Sequence, residues 1–304
     1  MAIHPLGIHN RNQAYMKKIF TYLFGLICVF SLKAQTNEAY SDQFDENSYA
    51  KFLPLDIIDE ASVEIIYEYH AIDSVLDKME SCIDILQVGE MYSKYFAYSS
   101  YQTDSVIHYC RDVTRITHRE SDEIFDKYDY GSGSSYEIVK NCKTSTLDYY
   151  DRIFIDYYVY QDSIAIPWML EDDTATVCGY PCQTATCSFR GRTWKAYYTT
   201  EIAKNDGPWK FSGLPGMILK LQDNKGEQTF TAIVVRNADS KIYTKVKRDR
   251  IKTTRTRFNE QFKDYRLHQM AVLAGNPLLG KDPNTGKVRS VPNTRRFYSP
   301  VELE

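Results

Sequence analysis

Polar and apolar positions alternate at a period of two through residues 63–70. Val63, Ile65, Tyr67 and Tyr69 fall on one face and Glu64, Ile66, Glu68 and His70 on the other, the pattern of a half-buried strand. Residues 83–88 and the aromatic run 91–98 predict two more strands on either side of Gly89, completing an N-terminal meander. Ile107, Cys110, Val113 and Ile116 recur at three-residue steps behind Asp104 and Ser105, either of which could cap a helix. Gly131-Ser132-Gly133-Ser134 predicts a loop, and the aromatic residues 153–160 another strand.

The pattern sharpens further on. Gln183, Ala185, Cys187 and Phe189 alternate with Thr184, Thr186 and Ser188, and Arg190-Gly191-Arg192 turns the chain into a return strand at 193–198. Met217, Leu219 and Leu221 alternate with Ile218, Lys220 and Gln222, and after Asn224-Lys225-Gly226 the chain returns through 230–235. Phe258, Phe262, Tyr265 and Gln269, continued by Met270 and Leu273, keep helical spacing until Gly275 and Pro277. Beyond Gly275 the composition predicts surface loop to Glu304. The expected fold is therefore mainly β (α+β): an antiparallel curved sheet or half-barrel with a C-terminal helix packed on it, formed as a single domain over residues 35–304.

Between the two later hairpins lies the densest local signal, residues 207–223, GPWKFSGLPGMILKLQD. Gly207-Pro208 predicts one turn. Leu214-Pro215-Gly216-Met217 predicts a type II turn, with proline setting φ at the second position and glycine supplying positive φ at the third. No residue here is an obvious nucleophile, general acid or base, or metal ligand. The stretch reads as a structural corner feeding the strand that begins at Met217.

Composition adds an address. Met16-Lys17-Lys18, the apolar run 19–32 and Lys33-Ala34 have the order of a secretory signal, so residues 1–34 are expected to be removed on export, with Met16 the more natural start than Met1. The run falls short of the roughly 20 apolar residues of a membrane helix. Its removal takes away Arg11, Lys17, Lys18 and Lys33 but no acid, moving the net charge from −3 to −7 and arguing against nucleic-acid binding. Basic residues cluster late, from Lys245 and Lys247 to Arg250 and Arg257, and are expected to be solvated surface.

With Cys28 gone, Cys82, Cys110, Cys142, Cys178, Cys182 and Cys187 remain, an even set that predicts disulfides in an exported chain. Cys178, Cys182 and Cys187 with a histidine (His70, His108, His118 or His268) would supply metal-ligand types, although their spacing is no paired knuckle. The chain has no Gly-x-Ser-x-Gly and no His-Glu-x-x-His. Gly275 to Lys281 only imitates a phosphate loop, with Asp282 where Ser or Thr is needed. Tyrosine is abundant, 25 in all, and Trp194, Tyr197, Tyr198 and Trp209 form a candidate binding face.

Residues 207–223 closely resemble the signature of the GLPGLI family, exported proteins of Bacteroidetes-type bacteria. The matching positions are Gly207, Pro208, Trp209, Phe211, Gly213, Leu214, Pro215, Gly216, Met217 and Ile218, with Met217 where the family usually has leucine. The resemblance extends through residues 179–202, with Tyr197 where tryptophan is frequent, to YSPVELE at 298–304, and includes Val88-Gly89 and Asp104-Ser105. It implies membership and an exported, β-rich protein similar in pattern to the half-barrels of periplasmic lipoprotein carriers; it implies no reaction and no cofactor.

The expectation is accordingly a non-enzymatic cell-envelope binding or accessory protein, acting in the periplasm or cell envelope or secreted, whose partner is a peptide, a lipid or an envelope protein. Two alternatives stand beside it, a periplasmic metal-handling protein using Cys178, Cys182 and Cys187, and a hydrolase of unrecognised type with a cysteine or aspartate beside His108, His118 or His268. An open apolar cavity in the sheet would favour a carrier, and a filled core a scaffold or partner-binding role.

Overall fold

A computed structural model describes residues 48–109, 112–163, 165–246, 249–274 and 296–304. The expected signal segment 1–34, Cys110, Lys247 and the phosphate-loop imitation lie outside them. The strands are β1 (Leu55–Glu60), β2 (Val63–Asp73), β3 (Lys78–Val88), β4 (Tyr92–Ala97), β5 (Glu137–Asn141), β6 (Thr146–Ile153), β7 (Asp156–Ser163), β8 (Met169–Val177), β9 (Tyr180–Phe189), β10 (Arg192–Thr199), β11 (Met217–Asp223), β12 (Gln228–Asn237), β13 (Lys241–Lys245) and β14 (Arg250–Lys252). The α-helices are α1 (Tyr98–Tyr109), α2 (His118–Lys127) and α3 (Arg255–Ala274).

Twelve strands form one open curved sheet in the order β14-β7-β6-β5-β4-β3-β2-β12-β11-β10-β9-β8, and β1 pairs only with β13. Two antiparallel meanders, β2–β7 and β8–β12, are joined where β12 lies antiparallel to β2, with Phe230 opposite Tyr69 and Val235 opposite Ile65. Among the described strands only β14 runs parallel to its neighbour, β7.

The period-two pattern decides what each face touches. Ile65 and Tyr67 of β2, Leu86 and Val88 of β3, Tyr95 of β4, Tyr149 of β6 and Trp194 and Ala196 of β10 belong to one large core cluster on the inner face, together with Trp209, Phe211 and Leu214 of the connecting loop and Phe258 of α3. Ile66 and Ile85, which alternation assigns to the outer face, are buried as well, under Leu55 of β1, Tyr243 of β13 and Tyr98 and Tyr101 of α1. The β2 strand is thus covered on both sides rather than half-exposed.

Several expectations are corrected. The helix predicted behind Asp104 begins earlier, at Tyr98, and ends at Tyr109; Val113–Arg115 is a separate 3-10 turn and Ile116 its cap. α2 escaped the apolar pattern because its start is polar: Thr117 Oγ1 accepts from the Glu120 amide while Glu120 Oε2 accepts from the Thr117 amide, a capping box. The C-terminal helix is present, with a break at His268 (φ −127°, ψ 31°); the side chains of Gln269, Met270 and Leu273 lie outside the described residues. Residues 296–304 are not loose surface loop. The Arg192 guanidinium donates to Pro300 O at 2.9 Å, the Leu303 amide to Arg190 O at 3.0 Å and the Tyr298 amide to Asp73 Oδ2 at 2.8 Å.

The expected disulfides are absent among the described residues, where Cys82, Cys142, Cys178, Cys182 and Cys187 are all free. Cys182 and Cys187, expected to pair with different partners, lie along one strand and are both buried without one.

Cys178 sits instead at the tip of the β8–β9 hairpin, where Cys178 (φ 51°) and Gly179 (φ 86°) make a two-residue turn with positive φ at both positions. Asparagine adopts that conformation more readily than cysteine. Cys178→Asn is therefore expected to stabilise the fold by about 0.5–1 kcal/mol, read as a melting temperature raised by a few degrees. An unchanged or lowered melting point would contradict this account of the turn.

Candidate functional site

The family-like segment 207–218 forms a buried corner pressed onto the inner face. The Phe211 amide donates to Pro208 O at 3.1 Å, closing a turn in which Trp209 takes φ 53°; the Gly216 amide donates to Leu214 O at 2.8 Å, a three-residue turn about Pro215. The type II expectation is corrected: Gly216 has φ +153°, far from the roughly +80° of that turn type. Its glycine is required by close approach, because a Cβ there would lie 2.1 Å from Thr199 O. The Ile218 amide then donates to Asp206 O at 2.9 Å, delivering the chain into β11.

Two buried lysines hold this corner. Lys140 Nζ, from β5, is ion-paired with Asp206 and donates to Gly207 O at 2.8 Å. Lys210, inside the motif, is fully buried, with Nζ 2.7 Å from Glu302 Oε1, 3.0 Å from Tyr160 Oη and 3.4 Å from Asp162 Oδ2. The rings of Trp209, Tyr160 and Tyr149 surround it at 4.8, 5.0 and 5.1 Å. Burial holds its pKa below the ordinary lysine value, against the pull of Glu302 and Asp162. Glu302 also receives Arg255 at 3.2 Å and Asn259 at 2.9 Å; burial opposes its ionisation, yet its pKa is lowered by the charge of Lys210 and these donors. The residues that organise the motif are therefore Lys210 and Glu302, 92 positions apart, and sequence reading credited neither with a role. The signal was available, since a lysine flanked by tryptophan and phenylalanine in an aromatic run is a poor surface residue.

Of the four aromatic residues expected to form a binding face, Trp194, Tyr198 and Trp209 are at most 3% exposed. Trp194 meets Phe211 edge-on at 4.8 Å, and Tyr198 donates to Gln183 Oε1 at 2.8 Å. They fill the inner face rather than present it, and only Tyr197, beside Lys220, is partly exposed. Among the described residues no group of three or more His, Cys, Asp and Glu side chains is placed to hold a metal ion.

A cleft of about 290 Å³ opens on the outer side, between α1, the Gly131–Ser135 loop and the β5–β7 strands. Its walls include Phe52, Glu137, Tyr150, Tyr157, Lys245 and Arg250. The acids near it are already engaged. Asp104 is bonded by Lys245 Nζ at 2.9 Å and Tyr243 Oη at 2.8 Å, and Glu137 lies 3.3 Å from the buried Lys94, whose ammonium sits over Phe96 and Tyr243. His108 shares the cleft with Asp104, and burial lowers its pKa despite that carboxylate. The late basic cluster is thus partly structural: Lys245 is only 13% exposed.

Asp151 of β6 borders the same region and is buried, accepting from the Arg152 amide at 2.7 Å and from Tyr149 Oη at 3.2 Å. Burial raises its pKa from 3.8 to about 6. The folded state then holds a proton that the unfolded chain releases. The associated stability is fully present below about pH 4 and is lost as pH rises through about 6. Asp151→Asn, which imitates the protonated form, is expected to raise stability at pH 8 by up to about 3 kcal/mol and to have little effect at pH 4. Equal denaturation midpoints for variant and wild type at pH 8 would contradict it.

Residues 190–220 match a family model described as "Protein of unknown function (Porph_ging)". The match is confined to the hairpin and corner and carries that description, not the GLPGLI name. No curated protein matches the chain. Two solved structures, described as "Structure of PNGF-II in P21 space group" and "Structure of PNGF-II in C2 space group", are similar to it with TM-scores of 0.43 and 0.42 at 14% identity. The alignments cover 68% of this chain and 34% and 33% of theirs, so the chain spans about a third of their length. Among the described residues no helix is long and apolar enough to cross a membrane.

Proposed function

We propose that this protein is an exported, non-enzymatic binding or accessory protein of the cell envelope, and that it engages its partner at the outer cleft rather than within the curve of the sheet. The observation that carries this reading is the filled inner face. Trp194, Trp209, Phe211 and Tyr149 occupy the space that a lipid carrier would keep open. The cleft, by contrast, combines partly exposed aromatic rings with charged groups, the mixture found in recognition sites. Export rests on the signal-like residues 16–34 and on the family-like segment at 190–220.

The hydrolase alternative has one observation in its favour, the shared location of Asp104 and His108. It is the weaker reading because the Asp104 carboxylate is committed to Lys245 and Tyr243 instead of orienting the imidazole for a nucleophile.

The test is capture from solubilised envelope extracts on immobilised protein, followed by mass spectrometry, comparing wild type with Tyr157→Glu at the cleft lip. The expected result is a bound molecule or protein that the variant fails to retain. Nothing captured by wild type, or equal capture by both, would overturn the assignment.

A further inference from the structure

We propose that the outer cleft receives the C-terminal carboxylate of a peptide, with Arg250 as the residue that reads it. The inference rests on the binding reading above and adds the chemistry of the ligand. Its first support is the arrangement of Arg250. The guanidinium carbon lies 4.2 Å from the centre of the Tyr150 ring, and Nη2 donates to Lys245 O at 2.7 Å. Stacking and one backbone bond fix the plane of the fork, and no carboxylate lies within ion-pair distance of it among the described residues. A planar, pre-oriented guanidinium with donors to spare matches a carboxylate in two-pronged fashion.

The charge balance of the cleft favours an anion. Asp104 is neutralised by Lys245 and Glu137 by Lys94, and Asp148 accepts the Tyr150 hydroxyl at 3.3 Å. Lys51 and Arg152, both exposed, add positive charge near Arg250. Asp151 also lines the cleft, but its carboxyl is buried and already bonded by the Arg152 amide and the Tyr149 hydroxyl. The outward side chains of β6 and β7 include Asp148, Tyr150, Arg152 and Tyr157, and the parallel register sets Arg250 level with Tyr157.

Size and lining narrow the class. About 290 Å³ is small for a binding cavity, enough for the last residue or two of a chain but not for an acyl tail. A carboxylate on Arg250 would leave the adjoining side chain against Tyr157 and Phe52. A terminal residue bearing an apolar side chain satisfies both features together.

The experiment is calorimetric titration of the full exported chain with N-acetyl-Ala-Phe as the free acid, the same dipeptide as its C-terminal amide, and N-acetyl-Glu-Phe-amide, whose only carboxylate is on a side chain. The free acid is expected to bind at least about tenfold more tightly than either amide, since only it offers the terminal carboxylate. Arg250→Met should abolish the preference and Arg250→Lys should lose most of it, both with the wild-type melting temperature. Equal binding of acid and amide, no binding by any peptide, or a preference that survives in Arg250→Met would overturn the proposal. Envelope capture separates the two levels. If wild type captures a partner that Tyr157→Glu releases while no peptide binds, the ligand class is wrong and the cleft reading stands; if wild type captures nothing, the binding reading itself fails.

Discussion

Replacing Gly216 with alanine is expected to destabilise the protein by about 4 kcal/mol or more, lowering its melting temperature by roughly 10 °C or beyond. The new methyl carbon would lie 2.1 Å from Thr199 O and 2.8 Å from the carbonyl carbon, so backbone must move apart where β10 ends and β11 begins. No flexible side chain is available to yield. The backbone at φ +153° is also one that L residues rarely adopt, so strain adds to the collision. Gly213 provides the control. It too has positive φ, +94°, but its nearest neighbour to a new Cβ is the Trp168 ring at 3.9 Å, an ordinary contact. Gly213→Ala should therefore cost only about 1–2 kcal/mol. Comparable thermal denaturation of the two variants would show that close approach at Gly216 is not what fixes the corner.

That corner marks both what the sequence disclosed and what it withheld. Strands such as β2, β9 and β11 were legible because a half-polar, half-apolar alternation survives in them, and the aromatic stripe of α3 was legible for the same reason at a helical period. β8 was missed because it is an edge strand with Glu171, Asp172 and Asp173 in succession, which hides any period. β13 is hard to read because its five residues, Lys241–Lys245, are too few to show a period and end in the basic cluster, although Ile242 and Tyr243 are buried.

For the site, local punctuation marks turns within residues 207–218, but the conformation of Gly216 depends on Thr199, which no local rule consults. The aromatic residues were assigned outward on composition. They face inward because the loop, α3 and the C-terminal tail cover the inner face, an arrangement set by tertiary contacts. The outer cleft draws on Phe52, Tyr150 and Arg250, and the parallel pairing of β14 with β7 is what sets Arg250 beside the strands carrying Tyr150 and Tyr157. No periodicity within one segment encodes such a pairing.

The second large effect is expected where the motif meets the chain's final residues. Lys210→Met should cost about 3–5 kcal/mol because it leaves Glu302 buried without its closest cation. Glu302→Leu should cost a similar amount by leaving the buried Lys210 with only the longer ion pair to Asp162 at 3.4 Å. The double variant should fall well short of the sum, by about 2 kcal/mol or more, because two apolar side chains then replace a pair whose desolvation consumed much of its attraction. Arg255 and Arg190 lose a partner in the double variant, but both are partly exposed, at 18% and 22%, and can turn to water. The pH dependence supplies an independent reading. The Glu302 pKa is lowered in the folded state, so its stabilisation is present above the ordinary glutamate pKa, 4.5, and is lost as pH falls through the lower folded value. Glu302→Gln should consequently weaken the protein at pH 7 and approach wild type under strongly acidic conditions. Additive losses in the double variant, together with an acid limb unchanged in Glu302→Gln, would show that the tail is merely laid over the motif; coupling would show that the last residues of the chain lock the 207–218 corner against the sheet.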